Sequence, residues 1–264
     1  MRIEVAGISH VGMKRNHNED NWFPKDEDLA QDGLNRDLML FCVADGMGGH
    51  SSGEVASKIA LDELAEFFRM TSKDQDATWP YKMDRARNYD ENRLATGIKL
   101  ANMRIHEQSS ADPKLRGMGT TIVSVFFSGT TAYVGHVGDS RVYRFSRGEL
   151  KQVTEDHSLL NDYLKSKKLT PEEIEAFPHK NVIVRALGMK DSVQVDVVRV
   201  EPLDGDIFLL CSDGLSGMVP DALIRDTLSR APDLKKASEQ LIDLANANGG
   251  LDNVTCVLAQ YFNN

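Results

Sequence analysis

Leu38-Met-Leu-Phe-Cys-Val-Ala-Asp-Gly-Met-Gly-Gly49 decides how the rest of the chain is read. Leu38 to Ala44 is a nearly continuous apolar run with the length of one strand, far short of the ~20 residues that span a bilayer. It ends on Asp45, and the glycines that follow let the backbone turn sharply there. A carboxylate placed at such a strand end is held by a rigid element.

The pattern recurs on both sides of this stretch. Arg15-Asn-His-Asn-Glu-Asp20 follows strand-like Ile3 to Val11, and Gly138-Asp-Ser-Arg141 interrupts a hairpin. Ser212-Asp-Gly214 follows the apolar strand Ile207 to Cys211, and Asp252-Asn253 leads into a last strand, Asn253 to Tyr261. Taken singly, an Asp-Gly at a strand end is most often an ordinary turn. Five acidic elements, all at strand ends, are harder to assign to turns alone. If those ends meet, Glu19, Asp20, Asp45, Asp139, Asp213 and Asp252 converge. Converging carboxylates repel strongly unless cations neutralise them. Oxygen ligands without His or Cys suit magnesium or manganese rather than zinc or copper.

Periodicity supplies the frame. Gly53 to Phe68 and Glu91 to Gln108 carry apolar stripes at helical spacing, separated by the polar stretch Thr71 to Tyr89. Strands Thr120 to Phe127, Thr131 to Val137, Arg141 to Phe145 and Leu150 to Val153 follow with short turns, which favour antiparallel pairing. After a Lys- and Glu-rich segment come strands Val193 to Val200 and Ile207 to Cys211, then helices Asp221 to Ser229 and Leu234 to Ala247. Helices in two pairs around antiparallel strands point to an α+β layered domain with two sheets inside, and one domain over 1–264 is the economical division.

Composition narrows the partners. With 264 residues, 41% hydrophobic and 27% charged, the chain is long enough for a full core and too apolar for disorder. Its charge of −9 argues against nucleic acid as the main ligand, since phosphate backbones need a basic face. A phosphate substrate remains compatible, because bound metal ions reverse the sign locally. Cys42, Cys211 and Cys256 each sit in an apolar run without CxxC spacing, as buried small hydrophobes in a reducing compartment do. No basic stretch followed by an apolar one opens the chain, so no signal peptide is expected. The expected protein is cytoplasmic, monomeric and without a membrane partner.

The ordered set RNHNED, ADGMGGH, GMGTT, GDSRVYRF, TEDHSL, CSDGL and LDNVT, spread from Gly7 to Val257, resembles the PP2C-type (PPM) metal-dependent serine/threonine protein phosphatases. It is most similar to the bacterial branch that opposes Hanks-type kinases. The resemblance implies a four-layer αββα sandwich with a metal centre in a cleft at one end of the sheets. It also implies roles by position. Asp45 bridges two Mn²⁺ or Mg²⁺ ions, the Gly46 carbonyl binds the second, and Asp213 and Asp252 hold the first. Glu19 and Asp20 act on the metals directly or through water, Asp139 with Asp213 matches a third metal site, and Arg15 clamps the substrate phosphate. Two such cations ~3.5–4 Å apart lower the pKa of a shared water, which then attacks phosphorus in line. The partners implied are phosphorylated proteins and a Ser/Thr kinase. Ser158 to Arg185 corresponds to a flap beside the active site, although its Lys165, Lys167, Lys168, Glu172 and Glu173 read most simply as a solvated helical face.

Blander readings stand beside these. Arg15 could pair with Glu19 at i+4, Asp139 could cap its own turn, and Asn253 and Thr255 read as turn and strand residues. A catalytically silent scaffold is the rival function; such proteins usually lose a metal aspartate, whereas Asp45, Asp213 and Asp252 are all present. The proton donor is the departure from the family: Met47 stands where eukaryotic members have a histidine. His50, three residues on, is the candidate acid, with a cation-bound water as the alternative. If His50 is the acid, His50→Ala lowers turnover of phosphopeptides more than of activated aryl phosphates, whose leaving group needs no proton. Equal losses on both substrates exclude it.

Overall fold

The computed structural model describes residues 1–24, 39–48, 52–74, 78–166, 169–175, 177 and 182–263. Gly49, His50 and Ser51 therefore lie outside the described residues, as do Lys167 and Lys168.

Strands β1 (Arg2–His10), β2 (Asp20–Phe23) and β3 (Leu40–Met47) precede helices α1 (Ser52–Lys73) and α2 (Tyr89–Ala111). Next come β4 (Gly119–Thr120), β5 (Ile122–Ser128), β6 (Thr131–Val137), β7 (Arg141–Ser146) and β8 (Glu149–Gln152). Short helices α3 (Leu159–Ser166) and α4 (Pro171–Glu175) are followed by β9 (Asp196–Val200) and β10 (Ile207–Cys211). The chain closes with α5 (Asp213–Ser216), α6 (Asp221–Arg230), α7 (Leu234–Ala247) and β11 (Val254–Phe262). The strands form two antiparallel sheets, β1-β11-β10-β7-β8 and β2-β3-β5-β6-β9, with β4 paired to β3.

The apolar run at β3 is explained by burial on both faces. Successive side chains of a strand point to opposite sides. Leu40, Cys42 and Ala44 meet α1 and α2, while Phe41 and Val43 face the other sheet. β10 does the same: Ile207, Leu209 and Cys211 pack with α6 and α7, and Phe208 and Leu210 fill the space between the sheets. Four layers, helix–sheet–sheet–helix, follow from these three clusters, as the resemblance implied. All three cysteines are buried and unpaired with one another. No helix among the described residues is long and apolar enough to cross a membrane.

Caps set the helix bounds. Asn88 and Glu91 form a reciprocal capping box, Glu91 N–H to Asn88 Oδ1 at 2.8 Å and Asn88 N–H to Glu91 Oε2 at 2.7 Å, so α2 starts at Tyr89. Asp233 caps α7 through the Lys236 N–H at 2.7 Å. Several elements differ from the sequence reading: α1 runs on to Lys73, where a loop from Thr71 was expected, and the short α5 was not expected. β2, absent from that reading, is a short edge strand that shares only Asp20 with the acidic motif. β9 begins at Asp196 rather than Val193. Val193 and Val195 alternate as a strand would, but they pack on the α1–α2 cluster, and the Val195 carbonyl accepts from Arg87 Nη2 at 3.0 Å.

Phe208 is fully buried between the sheets, edge-on to Phe127 with ring centroids 5.4 Å apart. Phe208→Ala should destabilise the protein by about 3–5 kcal/mol, read from the urea midpoint at unchanged m-value.

Candidate metal centre

The topology brings the strand-end carboxylates to one edge of the sandwich. Pairing of β2 with β3 sets Asp20 directly opposite Asp45. β10 and β11 run antiparallel with Cys211 opposite Cys256, so Asp213 after β10 and Asp252 before β11 lie at the same end. A side chain on Gly214 would collide with the Asn253 carbonyl, which shows how closely these two strand ends approach. Asp139 enters from the turn between β6 and β7, and Glu19 from the residue before β2.

Uncharged donors and acceptors frame these acids. Thr120 Oγ1 and the Thr121 N–H donate to the Asp45 carbonyl at 2.8 and 2.9 Å, and the Asp45 N–H donates to Thr121 Oγ1 at 3.1 Å. Ser212 Oγ donates to Asp20 Oδ2 at 2.7 Å and itself accepts the Thr255 N–H at 3.0 Å. Asn253, read from sequence as a turn residue, is a clasp. Its Oδ1 accepts the Glu19 N–H at 2.8 Å, and its Nδ2 donates to the carbonyls of Val11 and His17, both at 2.9 Å. Those bonds pin the loop carrying Arg15 and Glu19 against Asp252. The GMGTT, CSDGL and LDNVT motifs contained these residues; what sequence lacked was the distance in chain between partners, 234 residues for Asn253 and Glu19.

Gly46 donates its N–H to the Glu19 carbonyl at 3.2 Å, and any Cβ on it would strike the Gly53 carbonyl in the first turn of α1. Arg15 does not pair with Glu19. Its Nη2 donates to Asp252 Oδ2 at 2.6 Å, with the side chain 52% exposed at the mouth of the site. A cleft of about 520 Å³ opens beside Asp139, Asp213 and Asp252, walled on the far side by Ser158, Leu160 and Asn161.

The electrostatics are those of an anion cluster removed from water. Burial, and then Asp20, Asp213, Asp139 and Asp252, push the Asp45 carboxyl far above the usual range. Burial also raises Asp20 to about 7, with Ser212 and Thr255 opposing and Asp213 and Asp252 adding to the rise. Asp139 reaches about 7 through burial and its neighbours Asp213 and Asp156. Burial raises Glu19 and Asp213 as well. Four buried carboxylate oxygens, Glu19 Oε1, Asp20 Oδ1, Asp139 Oδ1 and Asp213 Oδ1, have no hydrogen-bond partner among the described residues. Orphaned buried acceptors cost free energy that a cation recovers. The donor set therefore fits hard divalent ions.

A second polar group lies nearby. His136, His157 and Asp196 offer ligand atoms within 4.8 Å of one another. Arg185 Nη1 sits 3.0 Å from His157 Nε2 and 3.1 Å from Asp196 Oδ1, and this cation competes with any metal there.

The carboxylates thus gather at one end of a two-sheet αββα sandwich. Residues 11–261 match the family described as protein phosphatase 2C, and the chain belongs to that family. It is 36% identical over 257 residues to protein phosphatase PhpP of Streptococcus pneumoniae, covering 97% of this chain and 96% of that one. The crystal structure of the Mycobacterium tuberculosis serine/threonine phosphatase PstP/Ppp superposes with a TM-score of 0.80 at 34% identity, over 99% of both chains. A structure of the PstP catalytic domain in complex with two manganese ions gives 0.78 at 33%, again over 99% of both. The chain is accordingly a divalent-metal-dependent protein phosphatase that hydrolyses phosphoserine and phosphothreonine.

Each raised carboxyl keeps its proton to higher pH in the folded chain than in the unfolded one. The native state then binds more protons between about pH 4 and pH 7, and stability falls as pH rises through that window. In EDTA, Tm should drop between about pH 5 and pH 7.5. Saturating Mn²⁺ should reverse the drop, with a gain on the order of 5–10 °C at the higher pH. A Tm indifferent to Mn²⁺ would count against the centre.

Proposed function

We propose that Asp45 is the ligand shared by two Mn²⁺ or Mg²⁺ ions, with Asp213 and Asp252 on the first and the Gly46 carbonyl on the second. Glu19 and Asp20 act on the ions directly or through water, and Asp139 joins Asp213 around a third ion. The observation that carries this reading is the set of buried, partnerless carboxylate oxygens gathered round Asp45. When bound, the cations neutralise phosphate charge and lower the pKa of water towards neutrality.

The chain's own residues orient the substrate. Arg15 meets Asp252 through one terminal nitrogen, which leaves N–H groups of its planar fork to receive phosphate oxygens at the cleft mouth. Charge that builds on those oxygens in the transition state is stabilised by this guanidinium, which Asp252 already holds in place. No side-chain nucleophile is required: the three cysteines are buried, and burial pushes their thiols up, away from the reactive thiolate. His50 is the protein's own candidate for protonating the leaving oxygen.

The substrates we infer are phosphoproteins made by a Hanks-type Ser/Thr kinase in the same cytoplasm, handled by one PPM-type domain whose flap spans about 158–185. The rival, a silent scaffold, is disfavoured by the intact Asp45, Asp213 and Asp252. Asp45→Asn should reduce kcat on a phosphothreonine peptide by at least ~10³-fold while the fold persists, and EDTA should abolish wild-type turnover until Mn²⁺ is restored. Activity that survives chelation, or the loss of Asp45, rules out the mechanism.

A further inference from the structure

The flap's two ends are fastened to the backbone beside two of the site carboxylates, and His157 is the main fastening. Its N–H donates to the Gly138 carbonyl at 2.9 Å, and its Nδ1 accepts the Gly138 N–H at 3.0 Å. One residue thus grips both polar groups of the glycine that precedes Asp139. Gly138 has no slack of its own: its φ of +114° suits glycine, and a Cβ would lie 2.6 Å from Thr121 Cβ.

The imidazole is itself fixed. Because Nδ1 accepts, Nε2 carries the proton of the neutral ring and donates it to Asp196 Oδ2 at 3.0 Å. His136 stacks on the ring with centroids 4.6 Å apart, and its Nε2 donates to the Glu155 carbonyl at 2.9 Å. Arg185, at the far end of the flap, binds Asp196 Oδ1 at 3.1 Å and the Gln194 carbonyl at 3.3 Å. Val184 N–H donates to the His157 carbonyl at 2.9 Å, which closes the flap's base. Two residues beyond Arg185, Leu187 exchanges backbone bonds with Thr120, whose hydroxyl holds the Asp45 carbonyl.

We infer that His157 is a positioning residue for the phosphatase reaction: it holds Asp139 in the site through Gly138, and the Asp196–Arg185 pair locks it to the flap. The inference rests on the role of Asp139 proposed above. A buried hydrogen bond to the peptide next to a ligand orients that ligand without touching metal or substrate.

The test is a double-mutant cycle in the full chain. His157→Leu removes the acceptor at similar size, His157→Asn returns an oxygen to the Nδ1 position, and each is made in wild type and in Asp139→Ala. Expected is a fall in kcat of roughly 10–100-fold for His157→Leu with KM little changed, largely restored by His157→Asn. In Asp139→Ala, itself strongly impaired, His157→Leu should cost less than about twofold, because the same contact is already void. Mn²⁺ calorimetry should show the weakest Mn²⁺ event weakened about tenfold by His157→Leu and absent in Asp139→Ala. Equal kcat losses in both backgrounds, or an unchanged isotherm and kcat, overturn the inference while leaving Asp139's role intact. An Asp139→Ala enzyme with full activity and the full Mn²⁺ count overturns that role and this inference together. Should His157→Leu fail to fold, His157→Gln, whose longer side chain reaches the Nε2 position near Asp196 but offers no acceptor at Nδ1, makes the same comparison in the two backgrounds.

Discussion

The repulsion among acids packed round Asp45 is the constraint to which the rest of the structure answers. Left in a flexible loop, such groups would separate into water. Here they sit at or just beyond strand ends that a ladder holds in place, Asp20 and Asp45 on paired strands of one sheet and Asp213 and Asp252 within two residues of the paired strands β10 and β11 of the other. The surrounding frame is built mostly from hydroxyls and an amide: Thr120, Thr121, Ser212 and Asn253. Neutral partners hold the acids without discharging them, and the charge remains available for cations. The guanidinium of Arg15 touches the cluster only at its exposed rim.

That arrangement needs a stiff support, and burial of both sheets on both faces provides it. A strand covered by helices on one side and a second sheet on the other cannot tilt without opening one of two packed layers. β3, β10 and β11 have this double cover, and each has one end at the site, the C-terminal end of β3 and β10 and the N-terminal end of β11. Of the four edge strands, β1, β8 and β9 have partly exposed faces. Rigidity is thus concentrated where the carboxylates are mounted.

The same double cover explains what the sequence made legible. Continuous apolar runs such as Leu40 to Ala44 and Ile207 to Cys211 advertise strands strongly, and the Asp that ends each one stands out against them. The helix expected over Leu234 to Ala247 is α7. β2 was not legible, because four residues at a sheet edge carry too little pattern. Val193 and Val195 misled for a tertiary reason: their alternation serves packing on α2 rather than a ladder. The Asp residues of the candidate centre could be named from motifs, whereas their supports could not. A clasp such as Asn253 on Glu19, or His157 on Gly138, is a long-range side-chain to backbone bond, and no local period records it.

The placement of the two buried histidines bears on metal choice. His157 lies one glycine away from Asp139, so an imidazole nitrogen is available close to an otherwise all-oxygen centre. Nitrogen donors would shift such a site towards zinc or copper. The structure commits both nitrogens of His157 elsewhere, Nδ1 to the Gly138 N–H and Nε2 to Asp196, and sets Arg185 against the same carboxylate. His136 turns Nε2 to the Glu155 carbonyl and stacks its face on His157. His157 thus has no nitrogen left over for a metal, whereas His136 Nδ1 is buried without a hydrogen-bond partner among the described residues, and the donors around Asp45 are hard oxygens suited to Mn²⁺ and Mg²⁺. The hydrogen bonds of His157, with Arg185 beside Asp196, keep that imidazole from adding a nitrogen donor to the oxygen centre.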